Sequence, residues 1–202
     1  MKLLRHIRIL SVIAILALTL ILGACGKKEE SSTGSTTSQK NSEKEIESSD
    51  ATSGGEFSAF TATDFDGNDV DQSIFSSKDL TVVNLWGTFC GPCIREMPEL
   101  GELAADYAGS GIQIIGIPVD VSDQDTLETA QSIVAQTGAD YVHLVPNKEL
   151  YDIYLKNVTA VPETLFVDKT GTIVGNAIGA KGKDDWKKLI DDTYDKISKN
   201  TD

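Results

Sequence analysis

The chain has 202 residues, with 18 Lys or Arg against 31 Asp or Glu and a formal net charge of −13. Surfaces that grip nucleic acid are basic, so this balance excludes a nucleic-acid partner, and it opposes electrostatic adhesion to anionic lipid. Three cysteines allow one intramolecular pair at most, which rules out a framework of structural disulfides.

Residues 1–24 place Lys2, Arg5 and Arg8 ahead of a nearly unbroken apolar run from Ile9 to Leu22. A basic start, a short apolar stretch and small closing residues form an export signal. The run falls short of the roughly 20 apolar residues of a spanning helix, with an uncleaved anchor as the alternative. Leu22-Gly23-Ala24-Cys25 resembles the bacterial lipoprotein lipobox. That resemblance implies cleavage before Cys25 and a diacylglycerol on its thiol, which holds a domain on a membrane without spanning it. The leader carries three basic and no acidic residues, so its loss leaves 15 basic against 31 acidic, a net of −16. Solubility is the first reading of that charge and a preference for cationic partners the second.

From Gly26 to Glu56 only Ile46 and Ala51 are apolar. Such a segment buries too little surface to offset its ordering entropy, so residues 25–56 read as a lipidated cysteine and a disordered tether. Residues 57–202 then form one domain.

Phe57 to Thr63 reads as a strand, with Asp66-Gly67 turning the chain into a second. Thr81 to Trp86 is apolar and β-branched, as a buried central strand requires. Pro92 to Tyr107 places Met97, Leu100, Leu103 and Ala104 on one helical face, and Pro98 within it should kink the axis. Ile112 to Val119 is a second continuous apolar run, suited to a parallel strand covered on both faces. Asp123 to Thr137 has helical spacing, with Asp125 a candidate cap. Tyr141 to Val145 is a short strand and Asn147 to Lys156 a helix. Thr164 to Val167 and Ile173 to Ala177 flank a turn signal at residues 168–171. Trp186, Leu189, Ile190, Thr193 and Ile197 mark a closing amphipathic helix. The pattern predicts a three-layer α/β sandwich with a mixed sheet.

Cys90-Gly91-Pro92-Cys93 follows the central strand and opens a helix. A thiol at a helix N-terminus meets unpaired N–H groups and the positive end of the dipole, which favour the reactive thiolate. Pro92 suits the first turn, where a missing N–H costs nothing. Cys90 is therefore expected to be the exposed nucleophile and Cys93 the buried resolving thiol. Zinc on this pair would need two more ligands, and the remaining nitrogen and sulfur donors after the leader are Cys25 and His143. No metal and no cofactor beyond the Cys90–Cys93 disulfide are expected. His143, in an apolar strand, reads as a core or edge residue. Trp86 should pack beside the disulfide and Phe89 should shape the rim beside Cys90.

The CGPC motif matches the thioredoxin active site. Residues 83–87 before it, 95–98 after it, and the segment Ala160 to Asp168 followed by Gly171 resemble the TlpA/ResA-type membrane-anchored thioredoxins, and in layout the surface thioredoxin lipoproteins of Gram-positive bacteria. The resemblance spans about Phe57 to Ile197. It implies a thioredoxin fold with an N-terminal β-hairpin and an extra β/α insertion. It further implies a cis bond before Pro162, with Val161 offering its backbone to an extended client. Trp86, Phe89, Gly91, Pro92, Val161 and Pro162 become the expected substrate-binding residues. Glu96 becomes a group that tunes the cysteines, against the plainer reading of a first-turn Glu favoured by the helix dipole. Cytosolic thioredoxins carry a buried Asp where this chain has Asn84, which cannot titrate.

The resemblance implies a protein-disulfide reductase on the extracytoplasmic face of the bacterial cell membrane. A membrane thiol-electron transporter would feed it, and its clients would be disulfide proteins such as apocytochrome c or a surface methionine sulfoxide reductase. A disulfide oxidase or isomerase of the same fold is the alternative, and a surface binding lipoprotein with a structural disulfide is another. A thiol peroxidase is disfavoured because Thr three residues before the cysteine, with Pro further upstream, is absent.

Overall fold

The structure, a computed structural model, describes residues 55–199. The expected signal peptide, Cys25 and the tether through residue 54 lie outside the described residues. The described chain runs β1 (Thr61–Asp64), β2 (Asp69–Asp71), α1 (Ser73–Ser76), β3 (Leu80–Trp86), α2 (Gly91–Asp106), β4 (Ile112–Pro118), α3 (Gln124–Thr137), β5 (Val142–Val145), α4 (Lys148–Ile153), a 3₁₀ turn (Leu155–Asn157), β6 (Glu163–Asp168), β7 (Ile173–Ile178) and α5 (Lys183–Lys199).

The strands form one mixed sheet in the order β2-β1-β5-β4-β3-β6-β7. β3 lies at its heart, parallel to β4 and antiparallel to β6, and all seven of its residues are buried. That is why its sequence is a continuous apolar run and not an alternation. Between β4 and β6 the chain makes a helix–strand–helix excursion whose strand, β5, extends the sheet beyond β4. The β1–β2 hairpin then pairs with β5. These are the expected insertion and N-terminal hairpin, and the whole is a thioredoxin-like fold.

Two apolar layers sandwich the sheet. On one face Leu80, Val82 and Phe166 pack against Leu100 and Leu103 of α2 and Trp186 and Ile190 of α5. On the other, Val83, Leu85 and Ile115 meet Phe75 of α1 and Leu150 of α4. Trp86, Cys93 and Met97 join Ala130 of α3 in a third cluster at the C-terminal end of β3. That places the cysteines at the lip of the sheet, over a solid floor.

Two local expectations are corrected. Phe57 to Phe60 is not strand: both rings are buried and pack with Phe75. Residues three apart face opposite ways in a strand, so burying both in one cluster requires irregular backbone. The cap of α3 is Asp123, not Asp125. Asp123 is extended and accepts the Thr126 N–H at 2.9 Å, with the Thr126 side chain answering it in a capping box. Asp125 already lies in the first turn. Helix α2 continues through Pro98, which sits on its exposed face.

Candidate active site

At the end of β3 the chain turns through residues 87–89, and Cys90 becomes the N-cap of α2 in extended conformation. Cys90 and Cys93 are joined as a disulfide with their Cα atoms 5.3 Å apart. The Cys93 N–H donates to the Cys90 sulfur at 3.2 Å. One of the orphan donors of the helix start is therefore aimed at the Cys90 sulfur, where it would support a negative charge. Cys93 is fully buried and Cys90 is only 6% exposed. Cys90 is the less enclosed of the two, but it is itself buried and not the exposed thiol that was expected.

The Val161–Pro162 bond is cis, and the Val161 carbonyl oxygen lies 3.7 Å from the Cys90 sulfur. Pro162 is buried while Val161 is half-exposed. Of the two, Val161 is the one open to an incoming chain. Gly91 and Pro92 are exposed, and Phe89 is 72% exposed. Trp86 requires correction as a substrate contact: it is fully buried and clusters with both cysteines. It forms the floor under the disulfide, out of a client's reach.

Sequence reasoning missed Ile178. It pairs with Glu163 at the end of β7, and the next residue, Gly179, donates its N–H to the Pro162 carbonyl at 2.9 Å. Ile178 is 61% exposed, so it stands beside the cis-proline loop as a second apolar element of the rim. The signal was present as an apolar residue just before a glycine, where an edge strand ends.

Glu96 shares the buried face of α2 with Cys93 and is 2% exposed. Its carboxylate accepts three hydrogen bonds: from Asn84 Nδ2 at 3.2 Å, the Lys181 N–H at 3.1 Å and Trp186 Nε1 at 3.1 Å. Burial nonetheless dominates and pushes its pKa above the usual carboxylate range, with those donors and the nearby Lys181 charge pulling the other way. Asn84 also donates to Thr164 Oγ1. The Lys181 ammonium donates to the carbonyls of Ile178 and Gly179, which pins the loop above Glu96. The plain first-turn Glu reading fails on geometry, since this carboxylate points into the protein.

His143 lies behind the floor. Its ring stacks on Tyr141 and Phe65 and meets Trp86 edge-on. Burial drops its pKa to about 4, so it is neutral at physiological pH. Among the described residues no group of three His, Cys, Asp or Glu side chains is placed to hold a metal ion, and no helix is long and apolar enough to cross a membrane.

A family model described as the AhpC/TSA family matches residues 53–175. The thiol-disulfide oxidoreductase ResA of Bacillus thuringiensis is 30% identical over 132 residues, 65% of this chain and 72% of that protein. ResA of Geobacillus kaustophilus is 26% identical over 133 residues, 65% and 72% of the two chains. Among solved structures, a thioredoxin-family thiol:disulfide interchange protein from Chlorobium tepidum superposes with a TM-score of 0.60 at 21% identity. The match covers 69% of this chain and 96% of that one. StoA from Bacillus subtilis gives 0.55 at 17%, covering 65% and 95%; at such identities these two likenesses concern the fold alone. The family match across most of the folded chain, the ResA relatives and the CxxC pair at the tip of α2 together establish that the chain belongs to the AhpC/TSA family of the thioredoxin fold, as a thiol-disulfide oxidoreductase of the ResA type.

Proposed function

We propose that the protein is a lipid-anchored reductase of disulfides in client proteins, working outside the cytoplasm and recharged by a membrane thiol-electron transporter. The observation that carries the chemistry is the Cys90 sulfur, held between the Cys93 N–H and the Val161 carbonyl. In the reduced protein the Cys90 thiolate attacks one client sulfur. The client's S–S bond breaks, its other sulfur leaves as a thiolate and takes a proton, and a Cys90–client mixed disulfide remains. Cys93 then gives up its proton and attacks the Cys90 sulfur. That closes the Cys90–Cys93 disulfide and frees the second client thiol, so two electrons have passed to the client. The backbone of Val161 offers an extended client an edge to pair with during the exchange.

Placement on the outer face of the membrane follows from the lipobox-like Leu22 to Cys25 and the export signal before it. Apocytochrome c and a surface methionine sulfoxide reductase are the client types this layout suits. Cys93→Ser should hold clients as mixed disulfides on Cys90, recoverable from membranes and released by dithiothreitol. Capture that persists when Cys90 is also replaced refutes the assignment. Direction is tested by equilibration against glutathione: a reductase should sit near thioredoxin, about −270 mV, and a potential above about −180 mV would make the protein an oxidase or isomerase instead.

A further inference from the structure

We infer that Asp120 is a positioning residue for client recognition: it fixes the turn before Cys90 so that Phe89 stands as an apolar anchor for a bulky apolar residue beside the client's cysteine. The inference rests on the reductase reading and names a substrate class for it.

The turn is built from both strand ends. The Val119 N–H donates to the Trp86 carbonyl at 2.8 Å, which ties the exit of β4 to the exit of β3. One residue on, the Asp120 carboxylate accepts the Thr88 N–H with both oxygens, at 3.0 and 3.1 Å. It also accepts the Thr88 hydroxyl on Oδ2. The Cys90 N–H closes the same turn onto the Gly87 carbonyl at 3.0 Å. No salt bridge among the described residues engages Asp120, so its charge is directed at Thr88. Charge-assisted bonds of this kind are stronger than neutral ones.

What the clamp holds out is Phe89, 72% exposed. The ring lies close over Gly87: a Cβ built there would be 2.8 Å from it. The ring therefore folds over a backbone that only glycine leaves bare. A large aromatic standing in water beside the active-site sulfur presents its apolar area before a partner arrives, and with only two side-chain torsions it loses little conformational entropy when covered. A client sulfur reaching Cys90 must lay its flanking residues on this rim. A leucine there would cover the ring, and a serine would not.

The test uses the reduced full-length protein and two disulfide-bridged peptides that differ only in a Leu or a Ser beside the attacked cysteine. Wild type should oxidise about tenfold faster with the Leu peptide, from partial burial of one apolar side chain. Phe89→Ala and Asp120→Ala should each bring the two rates together, and the double variant should lose no more than either alone, because both act on one feature. Asp120→Asn, which keeps one carbonyl acceptor for Thr88, should retain part of the preference. Asp120→Ala that slows both peptides equally and keeps the tenfold ratio overturns the inference, as does a double variant whose losses multiply. Should Asp120→Ala fail to fold, Asp120→Asn decides instead, since it gives up the charge and one acceptor for Thr88, and an undiminished ratio there overturns the inference as well. Wild type that reduces both peptides at one rate sinks the anchor and leaves the reductase standing; wild type that reduces neither counts against both.

Discussion

Replacing Glu96 by Gln should stabilise the oxidised domain, and the gain should grow as the pH rises. The folded-state pKa of Glu96 lies above its unfolded value, because burial penalises its charge. Below about pH 4.5 the carboxyl is protonated in both states, and Glu and Gln should be near equivalent. As the pH rises through the window between the unfolded and the folded pKa, the unfolded chain ionises first and wild type loses stability. Each unit of separation costs about 1.4 kcal/mol, fully developed above the folded value. Gln escapes that loss. Its carbonyl can accept from Trp186 and Lys181; its amide would face Asn84 Nδ2, which now donates to Glu96, so the Asn84 amide must turn over to present Oδ1, at present buried without a partner. Leu at the same position behaves differently. It strands the Trp186 Nε1–H and the Lys181 N–H, whereas Asn84 keeps Thr164. Two stranded donors cost about 1–3 kcal/mol each, a large share of the roughly 5–15 kcal/mol that holds a domain together. Urea unfolding of the oxidised protein at pH 4 and pH 7, followed by far-UV circular dichroism, separates the cases. A Gln variant whose advantage shrinks towards neutral pH, or a Leu variant as stable as wild type, refutes the reasoning.

His143 works in the opposite sense. With its pKa lowered by burial to about 4 from 6.5, it favours folding above pH 6.5 and loses that contribution as the pH falls towards 4, about 3 kcal/mol in all. His143→Leu should flatten this acid limb in equilibrium unfolding; an unchanged limb means another group causes it. Gly101→Ala should cost about 1–3 kcal/mol, because the new Cβ would lie 2.4 Å from the Gly138 carbonyl oxygen at the end of α3. Thermal melts should register that loss, and an unshifted melting temperature would falsify the close approach of α2 and α3. Trp86 emission should change on reduction of the disulfide it underlies, and a response that survives in Trp86→Phe assigns the signal to Trp186.

The sequence was most legible where burial is continuous. β3 and β4 could be read as central strands because strands covered on both faces carry no alternation to decode, only apolar runs. The closing helix was equally plain, since Trp186 and Ile190 repeat on the helical period. Phe57 to Phe60 misled because aromatic residues raise strand propensity, while their burial in one cluster is a tertiary fact. The redox pair was visible in four residues. Its rim was not: Ile178 and Asp120 come from chain segments that only the β6–β7 pairing and the β3–β4 register bring to Cys90. Trp86 shows the converse. Adjacency to the motif suggested contact with clients, but strand alternation sends its side chain inward, under the sulfurs.

Opening the disulfide takes two electrons, and the fate of the accompanying protons divides the two cysteines. The Cys90 sulfur accepts the Cys93 N–H at the helix tip, and Cys90 is not wholly closed off at 6% exposure, so a negative charge there has support. Cys93 has neither: it is fully buried in an apolar cluster, and an isolated charge in such surroundings is strongly disfavoured. On the proposed mechanism it must therefore hold a proton after reduction and lose it only during resolution, when its sulfur attacks Cys90. Asn84 cannot receive that proton. Besides Cys93, the titratable residue on the buried face of α2 is Glu96, and its raised pKa suits it to take up and release a proton closer to neutrality than an ordinary carboxylate does. On that proposal the burial that makes Glu96 costly to the fold would also fit it for this task, and stability and exchange rate should then move in opposite directions when it is replaced by Gln.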